Sequence, residues 1–363
     1  MNKFFAQRLH LDIWLVLGIL ALCILGLVTL YSASGESMEA VTRQAVRMAI
    51  AFAGMLVLAQ LPPALLSRWS VWFYVFSLLL LALVLVMGEM AMGARRWLDL
   101  GPLTFQPSEL LKIAVPMVLA GYFGHRTLPP NLYQVFLAAI VVLVPVGFIA
   151  VQPDLGTAVI VTVAGFTVLF MAGLSWRLMI GIALMGVAFL PVMWFYFMHD
   201  YQRNRVLTFL DPETDPLGTG YHIIQSTIAI GSGGLHGKGW LNGTQSHLDF
   251  LPERSTDFIF SVFSEEFGLM GVLVLVSLYL FIIARGLYIA ARAQDTFGKL
   301  LAAGLTAIFF VYVFINIGMV SGQLPVVGVP LPLVSQGGTS MVTIMAAFGF
   351  MMSIHTHRRL LSH

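Results

Sequence analysis

Ten apolar runs, each about 17–25 residues long, dominate the chain and leave it few ways to fold. They are centred near residues 21, 53, 79, 117, 142, 165, 187, 273, 309 and 347. A helix rises about 1.5 Å per residue, so each run spans a hydrocarbon layer of about 30 Å. In lipid the backbone has no water to bond, and a helix pairs its N–H and C=O groups within one segment. The expectation is an all-α integral membrane protein, one polytopic domain over residues 1–363 with about ten transmembrane helices. Composition agrees: 59% of residues are hydrophobic and 10% charged, where soluble domains carry about 25% charged residues. The first run, from Leu11 to about Tyr31, exceeds the roughly 7–15 residues of a signal-peptide core and predicts a retained span. The eighth, Phe258 to Ala291, is long enough for a tilted or extended helix. The one cysteine, Cys23, lies in the first run, which excludes a disulfide framework and a thiolate metal site. No fixed-period repeat and no low-complexity tail is visible.

Charge sets the two faces. The longest polar connection, about residues 199–256, separates runs seven and eight, and shorter ones cover Ser32–Thr42, Gly88–Pro107 and Ser321–Gly338. All four fall on one side. Lys3, Arg8, Arg68, Arg126, Arg177, Arg285, Arg292, Lys299, Arg358 and Arg359 fall on the other, with only Asp12 and Asp295 as acids there. The positive-inside rule then puts both termini in the cytoplasm and the four larger connections outside.

The outer side carries the candidate chemistry. The stretch Gly231–Trp240 starts as a glycine-rich loop and leads to a helix entry at Leu251-Pro-Glu-Arg-Ser-Thr-Asp-Phe-Ile-Phe260. Ser255, Thr256 and Asp257 are good N-cap types ahead of an apolar run. At about 100° per residue, Asp257, Ser261, Ser264, Glu265 and Gly268 share a face. Such a stripe is expensive in hydrocarbon and is expected to line a cavity. Asp257 is either a cap that offsets the helix dipole, or a carboxylate whose pKa apolar walls raise toward that of a general base.

A second cluster is Gly93–Gly101 followed by Phe105-Gln-Pro-Ser-Glu-Leu-Leu-Lys112. Glu109 and Lys112, three apart in a span, form either a structural ion pair or part of a site. Arg95 and Arg96 lie on the outer side against the topology rule, and arginine's planar fork suits phosphate. The turn Gln152–Thr157 contains Asp154, which could merely cap the next helix. Arg43 and Arg47 enter the second span from outside, while Arg203, Arg205, Lys238 and Arg254 occupy the large connection. The last connection, Pro325–Ser340, has the prolines and paired glycines of irregular backbone lining a cavity.

Ser232–Gly239 resembles a P-loop only superficially: Ser232 stands at the first glycine position and Gly239 replaces the Ser or Thr. No HExxH, zinc spacing or GxSxG elbow occurs. His222, His236 and His247 lie near Asp249 in sequence, where loop histidines are usually ordinary surface.

Together, Gly93–Gly101, Phe105–Lys112, Gln152–Thr157, Gly231–Gly239, Leu251–Glu266 and Pro330–Ser340 resemble the SEDS family of shape, elongation, division and sporulation proteins, across nearly the whole chain. The resemblance implies a peptidoglycan glycosyltransferase of the bacterial inner membrane, with its active site facing the periplasm. It implies lipid II, the undecaprenyl-pyrophosphate-linked disaccharide pentapeptide, as substrate, polymerised during elongation, and a class B penicillin-binding protein as crosslinking partner. Asp257 falls on the family's essential aspartate, and Glu109, Lys112 and Asp154 fall on its other sensitive polar positions. The expected mechanism has Asp257 as base on the acceptor sugar hydroxyl. Arg43, Arg95, Arg96, Lys112, Arg203 and Lys238 are then the cations available to the departing pyrophosphate, Arg95 and Lys112 first. A divalent cation could assist, but no ligand set is legible. Two rivals stand beside this reading: a lipid II flippase, which should spread intramembrane charge across both leaflets or show inverted repeats, and a non-catalytic scaffold activating a partner synthase.

Overall fold

A computed structural model of the chain describes residues 10–91, 94–99, 104–198, 200–215, 218–247 and 253–357. Lys3, Arg8, Gly93, Gly101, Asp249, Leu251, Pro252, Arg358 and Arg359 lie outside the described residues, as does the side chain of Arg95. The long helices are α1 (Ile13–Ala33), α2 (Met38–Ala59), α3 (Pro63–Met87), α4 (Pro107–Gly124), α5 (Leu132–Val151), α6 (Leu155–Met171), α7 (Trp176–Val192), α11 (Ile259–Arg292), α12 (Thr296–Val320) and α13 (Thr339–Thr356). They occupy the positions of the ten apolar runs. Among the described residues seven are long and apolar enough to cross a bilayer, and α6 and α7 are shorter apolar helices. The chain is a multi-pass helical membrane protein.

Their ends follow local rules. Asp12, Ser37, Asp154 and Asp295 accept from the first-turn amides of α1, α2, α6 and α12, and Asn131 with Gln134 forms a capping box on α5. Large apolar side chains such as Trp14, Leu17 and Ile24 of α1 and Trp72, Phe76 and Leu79 of α3 stay exposed. They form the lipid-facing surface. The centre is α12, buried along most of its length against α11, α6, α4 and α13.

Two connections differ from expectation. Residues 88–106 hold a small antiparallel sheet of β1 (Glu89–Ala91), β2 (Ala94–Asp99) and β3 (Thr104–Phe105), in the order β1-β2-β3. The periodicity of apolar runs carries no signal for strands this short. The large connection is itself mostly helical, with α8 (Asp200–Leu210), α9 (Thr219–Ser232) and a single turn, α10 (Thr244–His247). Gly231 and Ser232 therefore end a helix rather than begin a loop.

The segment after α9 is spliced into α11. At Gly268 the helix breaks, with φ +62° and ψ −166°, so Leu269 and Met270 cannot bond back to Glu265 and Glu266. The loop takes both sides of the gap. The Lys238 and Gly239 amides donate to the Glu265 and Glu266 carbonyls, each at 3.0 Å. The Leu269 and Met270 amides donate to the Gly234 and Leu235 carbonyls at 2.9 and 3.1 Å. A Cβ on Gly237 would collide with the Glu266 carbonyl, and one on Gly268 with the Gly237 amide. Both positions have positive φ as well. The Glu265 carboxylate completes the splice by accepting from Lys238 Nζ at 2.7 Å, the Thr244 amide at 2.8 Å and the Gln245 amide at 3.0 Å.

A second tie joins α4 to α12. Lys112 Nζ lies 2.6 Å from Glu109 Oε1 and donates to the Tyr312 hydroxyl. Lys112 is 2% exposed and Glu109 4%. Two opposite charges three residues apart neutralise each other where neither could be solvated alone.

Gly237→Ala is expected to lower stability by about 2–4 kcal/mol through strain and lost splice hydrogen bonds, read as a fall in the thermal midpoint in detergent. Gly231→Ala, with open space around the added methyl, should be neutral or slightly stabilising. Glu109→Leu or Lys112→Met alone should each cost about 3–5 kcal/mol, by stranding a buried charge, whereas the double variant should recover most of the loss.

Candidate active site

Asp257 sits in the turn before α11, whose first helical residue is Ile259 and whose N-cap, Phe258, makes no side-chain cap bond. The Ser255–Asp257 capping expectation is therefore corrected: the turn 253–258 closes on itself through the Glu253 carbonyl, which accepts from Thr256 and Phe258. The carboxylate is left uncommitted to a cap. The expected stripe beneath it does not line a cavity. Glu265 is drawn into the splice, Gly268 ends the helical face, and the Ser264 hydroxyl bonds back to the Phe260 carbonyl.

Two elements, α12 and the connection 321–338, fix the backbone of residues 255–257. Asn316 of α12 donates to the Asp257 carbonyl at 2.9 Å and to the Val329 carbonyl at 2.8 Å. The Ser335 hydroxyl donates to the Thr256 carbonyl at 2.6 Å, and the Gln336 amide to the Ser255 carbonyl at 2.8 Å. The connection 321–338 is irregular, as expected, yet Leu331, Leu333, Val334 and Ser335 are buried. Its carbonyls are met by Tyr279 on Pro332 and Gln44 on Ser335. Irregular backbone persists at this depth because protein groups satisfy it.

The half-buried Asp257 carboxyl has its pKa raised to about 6, first by burial and then by the nearby Glu253 carboxylate, while the Arg205 guanidinium pulls the other way. Arg205 donates to the Val326 carbonyl at 3.1 Å. With Arg96, Pro153, Gln202 and Pro325–Val327 it lines a recess of about 50 Å³. Gly328, next to Val327, is the glycine whose added Cβ would lie 3.5 Å from Asp257 Oδ2. The aspartate and the arginine-lined recess are thus neighbours.

The other expected residues divide. Arg96 is brought in: its Nε donates to the Gln152 carbonyl at 2.9 Å and its Nη2 to that of Pro153. Asp154 is adjacent, but its oxygens accept from Thr157 of α6 and, at 2.8 Å, from Gln106 Nε2, so it caps and ties. Glu109 and Lys112 lie below in their closed ion pair. Lys238 is held by Glu265 and Thr244. Arg203 braces the wide turn after α7, donating to the Trp194 carbonyl at 2.9 Å and that of Phe195 at 3.1 Å. Arg43 pairs with Glu39 on the surface, where its side chain is 55% exposed. For Arg95 only the strand position is described, opposite Met90. No group of three or more His, Cys, Asp or Glu that could hold a metal occurs among the described residues.

Sequence reasoning passed over Tyr312, Asn316, Ser335 and Glu253, and named Arg205 only as a loop cation. Tyr312 and Asn316 did carry a signal, since polar groups four apart in an apolar helix share a face and need partners.

The family model for FtsW, RodA and SpoVE, described as cell cycle proteins, matches residues 8–360. The chain is 54% identical over 362 residues to the peptidoglycan glycosyltransferase MrdB of Escherichia coli K12, covering 99% of this chain and 98% of that one. It is 38% identical over 322 residues to MrdB of Helicobacter pylori, covering 87% and 83%. Among solved structures, it matches a chain from one described as "Structural coordination of polymerization and crosslinking by a peptidoglycan synthase complex". That match has a TM-score of 0.83 and 36% identity, over 96% of this chain and 99% of that one. The rod shape determining protein RodA of Thermus thermophilus matches with a TM-score of 0.73 and 32% identity, over 95% and 96%. On this full-length agreement, the chain belongs to the FtsW/RodA/SpoVE family.

Proposed function

We propose that the chain is a peptidoglycan glycosyltransferase that polymerises lipid II, with Asp257 as general base and the Arg205–Arg96 recess receiving the departing pyrophosphate. The observation that carries this reading is the juxtaposition of one raised-pKa carboxylate with an arginine-lined recess. Full-length kinship to proteins named for that activity supports the reaction class.

The chemistry balances within the site. The acceptor sugar hydroxyl attacks the donor's anomeric carbon, forming the new C–O bond as the bond to the lipid pyrophosphate breaks. The hydroxyl proton passes to Asp257. The electron pair of the broken bond leaves with the pyrophosphate, whose charge Arg205 and Arg96 are positioned to stabilise. A base with pKa near 6 is ionised at neutral pH yet more basic than an ordinary aspartate. The splice and the Asn316 and Ser335 bonds hold that base on rigid backbone, as proton transfer requires. Lys112 and Lys238, already paired, act through the fold instead of on the phosphates.

The orientation belongs to the same reading. Arg68, Arg126, Arg177, Arg285, Arg292 and Lys299 gather at the end opposite Asp257. That end is the cytoplasmic one, all ten long helices cross the inner membrane, and Asp257 opens to the periplasm. A class B penicillin-binding protein is the partner, consistent with the synthase complex to which one structural relative belongs.

Purified protein given lipid II, with its partner present and the transpeptidase blocked, should make glycan polymer. Asp257→Asn should lower the rate about 10²–10⁴-fold with little change in thermal midpoint. Polymerisation unchanged in that variant removes Asp257 from the base role, and lipid II translocation without polymer would favour a flippase. The rate should rise as pH increases through about 6 and level off above it, because only the ionised carboxylate accepts a proton. Arg205→Gln removes the charge that lowers the pKa and should shift this limb to higher pH. Glu253→Gln should shift it lower.

A further inference from the structure

At the end of the bundle opposite Asp257, α3, α4 and α5 enclose a cavity of about 350 Å³. This lies within the range of about 300–1,000 Å³ typical of small-molecule pockets. Its walls are mostly apolar, from Val71, Val118, Leu119, Leu137 and Val141, with Ser67 and Ser70 beside them. Val71 is 56% exposed, on the same lipid-facing side as Trp72. The rim differs: Arg68 and His125 line it, and the Arg126 guanidinium stacks 4.2 Å from the centre of the Tyr122 ring. No described carboxylate pairs with Arg68 or Arg126. Tyr122 lines the same cavity, and its hydroxyl is buried without a hydrogen-bond partner among the described residues.

We propose that this groove is a binding site for an anionic glycerophospholipid, with an acyl chain in the apolar slot and the headgroup phosphate between Arg68 and Arg126. The buried Tyr122 hydroxyl lacks an acceptor that a phosphate or ester oxygen supplies, whereas Ser70 in the same wall already donates to the Ser67 carbonyl. Two permanently charged guanidiniums at the headgroup level favour an anionic lipid over a zwitterionic one. The occupant is a lipid and not a peptide, because the slot faces the hydrocarbon side of three long helices and offers no unpaired backbone. The site is separate from the Asp257 recess, so its failure would leave the proposed activity standing.

The full-length protein, delipidated in detergent, is titrated with dioleoylphosphatidylglycerol or dioleoylphosphatidylcholine, and bound lipid is counted by native mass spectrometry. The expected result is one saturable phosphatidylglycerol, held at least about tenfold more tightly than phosphatidylcholine. Arg68→Gln with Arg126→Gln should reduce its affinity to the phosphatidylcholine level. Val141→Trp should block both lipids without changing the thermal midpoint of the lipid-free protein. Leu137→Phe, one turn away, is the second blocking variant should the first misfold. Equal binding of the two lipids, retention unchanged in the double arginine variant, or displacement by inorganic phosphate alone would each overturn the proposal. So would preferential binding of undecaprenyl phosphate, which would mark a polyprenyl site.

Discussion

The four backbone hydrogen bonds that splice residues 234–239 into the break at Gly268 are the constraint on which the half of the molecule around Asp257 depends. A transmembrane helix closes its own ladder, and a break strands donors and acceptors at several kcal/mol each in hydrocarbon. Here a loop reaches the break and replaces each missing partner. The replacement works only where neither backbone carries a Cβ, which explains glycine at both 237 and 268. Glu265 then anchors the same loop through its side chain. The result is a short helical segment, residues 259–267, held rigidly at an angle the uninterrupted helix could not adopt.

Asp257 stands at the N-terminal end of that segment, and its placement follows from the splice below and the buried connection 321–338 beside it. Asn316, Ser335 and Gln336 bind the backbone of residues 255–257 and leave the carboxylate itself unused. The base role proposed for Asp257 is best served by this placement. Bonds to its oxygens would lower its pKa, whereas burial beside Glu253 raises it. The cations divide on the same principle. Lys112, Lys238, Arg203 and Arg43 have acidic or carbonyl partners and stabilise local structure, while Arg96 and Arg205, though bonded to carbonyls, face the recess.

Much of this was legible in the chain. Run length and hydrophobicity located the helices, since bilayer thickness leaves little freedom. The cap at Asp154 was one of the readings its turn offered, and the Glu109–Lys112 pair followed from spacing. Asp257 stood out because it heads a polar stripe that would be costly in hydrocarbon. The polar stripe was misread for a definite reason: the 3.6-residue period assumes an unbroken helix, and Gly268 breaks it. The sheet at 89–105 escaped notice because strands of two to six residues leave too few alternations to read.

By itself, the sequence determined that the protein is helical and membrane-embedded, which end of the bundle carries the basic residues, and that Asp257 is the carboxylate to watch. These depend on composition and near-neighbour spacing. Only the tertiary structure decided which arginines line the recess beside Asp257, which lysines are already paired, and that a loop repairs the break in its helix. Those contacts join Arg205 to Val326, Asn316 to Asp257 and Lys238 to Glu265, across 121, 59 and 27 residues. No local periodicity encodes such separations; they arise because buried polar groups must find partners wherever packing brings them.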